Sequence, residues 1–231
     1  MAAPFALFGP AHLGSIALTF ITPLILSAIT RLCDGDMIAR IVGWLFVALL
    51  VVDKIIEIIL WRRSGELTLE SVVPMHLCDW AALMVVITFV YPNQWTFELC
   101  YFWSLGGTLQ ALLTHDLPYG FPDSRFISFF ALHGGVIAAV IYMTFGMGMR
   151  PIPTSIVRAL AWSAAYLITA ATVNSMLGTN FGYLRTKPAH PSLLDYMAPW
   201  PFYIVQLGLL TIAFTLIYYS PFFIIDRLRS R

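Results

Sequence analysis

Charge is what this sequence has least of. Only 11% of its residues are Asp, Glu, Lys or Arg, where a soluble domain carries roughly 25% because its surface faces water. With 59% hydrophobic residues and a mean hydropathy of +0.81, most of the outer surface must face hydrocarbon. The net charge of +1 excludes the strong basic field that nucleic acid requires, so no nucleic-acid partner is expected. Cysteine is scarce too: Cys33, Cys78 and Cys100 are too few and too scattered for a disulfide framework. Gly/Ser linkers, charge runs, low-complexity tracts and internal repeats are also missing, so residues 1–231 read as one integral membrane domain. Met1 to Pro10 contains no Lys or Arg, so a secretory signal is not expected and the first apolar stretch is kept as a helix.

What is present is a series of apolar stretches near the length needed to cross a bilayer, about 20 residues. They fall at roughly 11–30, 40–60, 74–91, 95–114, 126–146, 154–176 and 200–223. The third is expected to carry Pro74 in its first turn, where a missing N–H costs nothing. The fold class that follows is all-α: a polytopic membrane protein, a bundle of about seven transmembrane helices with a polar cavity opening to one face. An odd number of spans puts the termini on opposite sides. Arg31, Arg40, Arg150, Arg158, Arg227, Arg229 and Arg231 collect on one side, and Arg62, Arg63, Arg125, Arg185 and Lys187 on the other. The excess favours a cytoplasmic C-terminus.

Polar residues gather toward the N-terminal side. His12, His76, Cys78, Asp79 and His133 fall in the first halves of spans one, three and five. Asp53, Lys54 and Glu57 fall late in span two, Gln110 and His115 at the end of span four, Asn174 at the end of span six, and His190 in the loop beyond. Asp34, Asp36 and Glu98 on the opposite side suit solvated loops. Ionisable groups within spans are costly and usually face a bundle interior or a wet cavity. The cavity is therefore expected to open on the extracytoplasmic face.

Cys78 with His133 is the pair best suited to chemistry. At about 1.5 Å per residue, Cys78 lies roughly 6 Å below Pro74 and His133 roughly 12 Å below Arg125. Both helices enter from the same side, and Gly134-Gly135 lets a neighbouring helix approach closely. A thiolate is a good nucleophile, and an imidazole can take its proton. The plain alternative makes Cys78 a small core residue and His133 a packing residue. A metal site built from His76, His115, Asp116 and His133 is a further alternative. Against it, His76 and Cys78 stand about 200° apart around a helix. The Asp53–Lys54–Glu57 group reads either as a headgroup or proton site or as a self-neutralising cluster. It is also the natural site if the chain is instead a small transporter or lipid-binding protein.

Several stretches resemble a known family. They are Phe8-Gly9-Pro10-Ala11-His12-Leu13, His76-Leu77-Cys78, Leu132-His133-Gly134-Gly135, Asn180-Phe181-Gly182-Tyr183-Leu184 with Lys187-Pro188, Ser192-Leu193-Leu194-Asp195 and Pro199-Trp200-Pro201-Phe202-Tyr203. Together they resemble the YwaF-like bacterial integral membrane proteins, related to the eukaryotic transmembrane protein 164. That relative moves a fatty acyl chain onto a lyso ether phospholipid with a Cys and a His and without a metal. The resemblance implies a helical bundle like that of the androgen-induced membrane hydrolases. It also implies a bacterial plasma-membrane location, a membrane lipid substrate and no cofactor. The catalytic roles fall on Cys78 and His133, through an acyl-thioester. Asn174, Asn180, Tyr183 and Tyr203 are expected to bind substrate or oxyanion, with His12, Asp53, Glu57, His76, Asp79 and Gln110 as supporting polar groups. Transfer to a phospholipid or lysophospholipid and hydrolysis on the same site both remain open. This chain departs from the family pattern at Ala198, where a Gly stands, and at Phe202, where a Trp stands.

Overall fold

The computed structural model of the protein describes residues 4–33, 35–114, 118–188 and 192–230. Helix dominates, and among the described residues the β-pairing is an isolated bridge between Pro4 and Tyr119. Helix α1 runs Pro10–Leu32, with proline at its first turn, where its fixed φ fits and its missing N–H is not needed. Helix α2, Gly35–Ser64, is 30 residues long and carries Asp36 in its first turn and Arg62 and Arg63 in its last, each matched to the helix dipole. A single turn, α3 (Leu69–Val72), is capped by Thr68.

Helix α4 begins at Leu77 and ends at Val90, three residues later than Pro74 suggested. Proline pushes the residue before it out of the helical region, and Val73 is accordingly extended (φ −79°, ψ 117°). His76 is extended as well and becomes the N-cap. Cys78 is therefore the second helical residue, not one buried a full turn deep.

The fourth span is divided. Helix α5 (Gln94–Trp103) passes into a π-helical segment, Ser104–Thr108, and then into α6 (Leu109–Leu113). Helix α7 is Ser124–Phe145, α8 is Pro153–Leu177 and α9 is Phe202–Arg229. Gly178, at φ +71°, ends α8 in the left-handed conformation that glycine adopts without strain. Of these seven helical passes, five are long and apolar enough to cross a membrane by length and composition: Pro10–Leu32, Leu69–Val90, Ser124–Phe145, Pro153–Leu177 and Phe202–Arg229. The other two are α2, which carries Asp53, Lys54 and Glu57, and the divided pass through the π segment.

Helix α7 is the axis of the bundle. Its apolar window is 78% buried, against 11% for α9, and it packs on α1, α2, α4, α5 and the π segment. Gly134 and Gly135 make this possible. A Cβ on Gly134 would meet the Thr19 hydroxyl oxygen of α1 at 2.5 Å, and one on Gly135 would meet Leu49 of α2 at 3.1 Å. Adjacent glycines thus admit two different helices. Helices α8 and α9 leave most of their surface outside the bundle, as lipid-facing helices do.

Glu98 corrects one expectation. It is not a solvated loop residue but a fully buried one, held by Arg158 through Nε at 2.7 Å and Nη2 at 2.6 Å. Gln94 completes the arrangement, donating to Glu98 at 2.9 Å and to the Arg150 carbonyl at 2.8 Å. A buried carboxylate persists only with such partners.

Candidate functional site

The site is built around the first turn of α4. The His76 N–H donates to Asp79 Oδ2 at 3.2 Å, a capping arrangement that fixes the Asp79 carboxylate at the helix entrance. From α2, Lys54 Nζ donates to Asp79 Oδ1 at 2.9 Å and to Glu57 Oε2 at 2.8 Å. The Asp53–Lys54–Glu57 group is thus tied to the residue that follows Cys78. Asp53 itself is buried, with Ser128 of α7 beside it, and its Oδ2 has no hydrogen-bond partner among the described residues.

Cys78 is a free, half-buried thiol, close enough to the carboxylates of Asp79 and Glu57 and the ammonium of Lys54 to feel their charge. The other two thiols differ: Cys33 is exposed, and Cys100 is buried with its Sγ on the Phe97 carbonyl at 3.2 Å. The first-turn N–H of Cys78 makes no hydrogen bond among the described residues, as happens at a helix start, whereas the Leu77 N–H is taken by the Tyr166 hydroxyl oxygen.

His133 is buried in α7. Its Nδ1 lies 2.9 Å from the Phe129 carbonyl oxygen. A carbonyl only accepts, so Nδ1 carries the hydrogen and Nε2 keeps its lone pair in the neutral ring. The ring stacks on Phe129 at 4.1 Å between centroids, which fixes its plane. Asp79, Glu57 and His76 lie near enough to act on it electrostatically. Helices α4 and α7 pack directly, although Cys78 and His133 form no hydrogen bond with each other in this structure.

The connection after α8 covers the site and accounts for four expected residues. Asn174 is buried; its Nδ2 donates to the Phe181 carbonyl at 2.9 Å, and its Oδ1 accepts from the Phe181 N–H at 2.7 Å and the Thr179 hydroxyl at 2.9 Å. Asn180 accepts from the N–H groups of Arg185 and Thr186 and donates to the Thr186 carbonyl at 2.9 Å. Tyr203, fully buried, donates its hydroxyl to the Tyr183 carbonyl. Tyr183 takes a left-handed backbone, φ +55°. These bonds hold Phe181 edge-on to His76, 5.2 Å between centroids. Three of the four expected substrate-binding groups are thereby committed to the shape of the loop.

Two other expected residues stand apart. His12 is buried, with Nδ1 accepting from the Phe8 N–H at 3.0 Å and Nε2 on the Leu112 carbonyl at 2.9 Å. It lines a second cavity of about 160 Å³ with Phe5, Phe121 and Phe126. Gln110 is half-buried on α6, and its side chain makes no hydrogen bond among the described residues. His115, Asp116 and His190 lie outside the described residues, so the proposed four-residue metal set is only half described. Among the described residues, no three His, Cys, Asp or Glu side chains are grouped to hold a metal ion.

A cavity of about 290 Å³ opens between α2, α4 and α7. Its walls are apolar, from Leu50, Val51, Ile55, Leu83, Val86 and Leu132, except where Lys54 and Asp79 reach it. The sequence reading missed Tyr166. Its hydroxyl donates to the Met75 carbonyl at 3.1 Å and its ring meets Trp80 at 5.6 Å, supporting the strand of backbone that leads into Cys78. No local pattern marks a tyrosine for that role, since its partners lie about 90 residues away.

An all-helical bundle with five helices long and apolar enough to cross a membrane defines a polytopic integral membrane protein. The chain belongs to the TMEM164 family, whose family model matches residues 7–219. No curated protein and no solved structure matches it.

Proposed function

We propose that the protein is a membrane-embedded lipid acyltransferase that works through an acyl-thioester on Cys78, with His133 as base and acid. The observation that carries this reading is the His133 ring. Its Nδ1 is fixed by a carbonyl, so its basic Nε2 is available on a helix packed against the one that carries Cys78 in its first turn. The apolar cavity ending at Lys54 and Asp79 supplies a place for an acyl chain with its ester near the α4 entrance.

His133 Nε2 takes the thiol proton, and the thiolate attacks the ester carbonyl of a phospholipid. The first-turn N–H of Cys78 is the donor best placed for the oxyanion, since Asn174, Asn180 and Tyr203 are bonded within the loop and the Leu77 N–H is bonded to Tyr166. Collapse breaks the C–O bond, and the departing alkoxide takes the proton from His133. A lysolipid hydroxyl then gives its proton to Nε2 and attacks the thioester, releasing the Cys78 thiolate. With water in place of the lysolipid, the same site is a hydrolase.

The Lys54–Asp79 bond bears on the rival reading of a transporter or lipid-binding protein centred on Asp53, Lys54 and Glu57. It makes that cluster a wall of the same site rather than a second one. The test is acyl transfer between labelled phosphatidylcholine and lysophosphatidylcholine by purified protein in nanodiscs. Cys78→Ala and His133→Ala are each expected to lower the rate by about 100-fold or more, and the double variant no further, because the two act as a unit. Full activity in Cys78→Ala overturns the proposal.

A further inference from the structure

Hydroxyls inside a helix usually turn back onto the carbonyl four residues earlier. Here Thr19, Ser27, Thr30, Thr88, Thr144 and Thr215 all do so. Ser104 and Thr108 do not. Both are buried, at 0% and 1% exposure, and neither hydroxyl oxygen has a hydrogen-bond partner among the described residues. Both lie in the π segment, in whose wider register the Leu109 N–H bonds the Ser104 carbonyl. An unmade bond on a buried hydroxyl costs stability, and π segments recur at functional sites.

The position of the segment gives the cost a use. A Cβ on Gly107 would meet Leu77 Cδ2 at 2.9 Å, and Trp103 meets Trp80 edge-on at 6.2 Å. These two contacts bracket Cys78 and Asp79 in depth, so Ser104 and Thr108 stand at the level of the α4 entrance. The segment also packs on α7, the helix of His133. Resting on the acyl-transfer reading above, we propose that Ser104 and Thr108 are substrate-binding residues whose hydroxyls donate to the carbonyl oxygen of the lipid ester held beside Cys78. The lipid carbonyl supplies the partner that these two hydroxyls lack among the described residues.

The test separates binding from chemistry. In a Cys78→Ala background, binding of a fluorescent diacyl phosphatidylcholine is compared with that of its dialkyl ether analogue, which lacks the carbonyl. Ser104→Ala with Thr108→Val is expected to weaken the diacyl lipid by about tenfold or more and to leave the ether unchanged, while the melting temperature holds or rises. Thr108→Ser, which keeps the hydroxyl, is expected to bind as the parent does. Unchanged diacyl binding, equal loss for both lipids, or a marked fall in melting temperature overturns the inference. The parent chain with Cys78 intact, assayed for transfer alongside Cys78→Ala, tests the underlying reading on its own.

Discussion

Lys54 of α2 and Asp79 of α4 form a 2.9 Å ion pair at the point where the charged part of one membrane helix meets the entrance of the next. Glu57 shares the same ammonium at 2.8 Å, so one cation balances two carboxylates. The Asp79 side chain is 8% exposed, against 27% for Lys54.

Removing the cation leaves like charges facing each other in a poorly hydrated place. Lys54→Met is expected to destabilise by about 1–3 kcal/mol, less than a fully buried pair because Lys54 is partly exposed. Lys54→Met with Asp79→Asn is expected to recover part of that loss. A double-mutant cycle on thermal unfolding in detergent measures the coupling; strictly additive losses contradict the pairing.

Gly134 tests the packing of the axis. Gly134→Ala brings a methyl to 2.5 Å from the Thr19 hydroxyl oxygen, and overpacking of this kind costs about 1–3 kcal/mol. Thr19→Ala in the same chain removes the obstructing atom and is expected to restore most of the stability. The melting temperatures of the two singles and the double decide it.

Asn174 distinguishes a loop-shaping role from a direct catalytic one. Asn174→Ala leaves the Phe181 N–H and carbonyl without their buried partners, at a cost of about 1–3 kcal/mol. Hydrogen exchange is expected to quicken across residues 179–186, together with any fall in activity. A loss of turnover with unchanged exchange contradicts the loop role and returns Asn174 to the reacting centre.

The membrane class and the number of helical passes were legible because they follow from chain-wide scarcity of charge and from span-length apolar runs. The start of α4 was not, since Val73 and Pro74 compete with helix in a way that a hydropathy window averages out. The expectation for Gly134 and Gly135 was sound in kind, yet the sequence had no means to show that each glycine serves a different helix. Lys54 and Asp79 lie 25 residues apart, and their pairing depends on the crossing of α2 and α4 rather than on any local pattern. Glu98 was misjudged for the same reason: its partner Arg158 is 60 residues away. Ser104 and Thr108 went unnoticed because Ser and Thr are ordinary in membrane helices, and only the packing shows that these two hydroxyls are buried without a partner among the described residues.

The central claim is that Cys78 carries the acyl group between lipids. Mass spectrometry of the intact protein, incubated with a diacyl phospholipid and no acceptor, tests it most directly. The account predicts an added fatty-acyl mass on the peptide containing Cys78, removed by neutral hydroxylamine and discharged when lysolipid is supplied. Acyl transfer that proceeds at full rate with Cys78 never modified would contradict it.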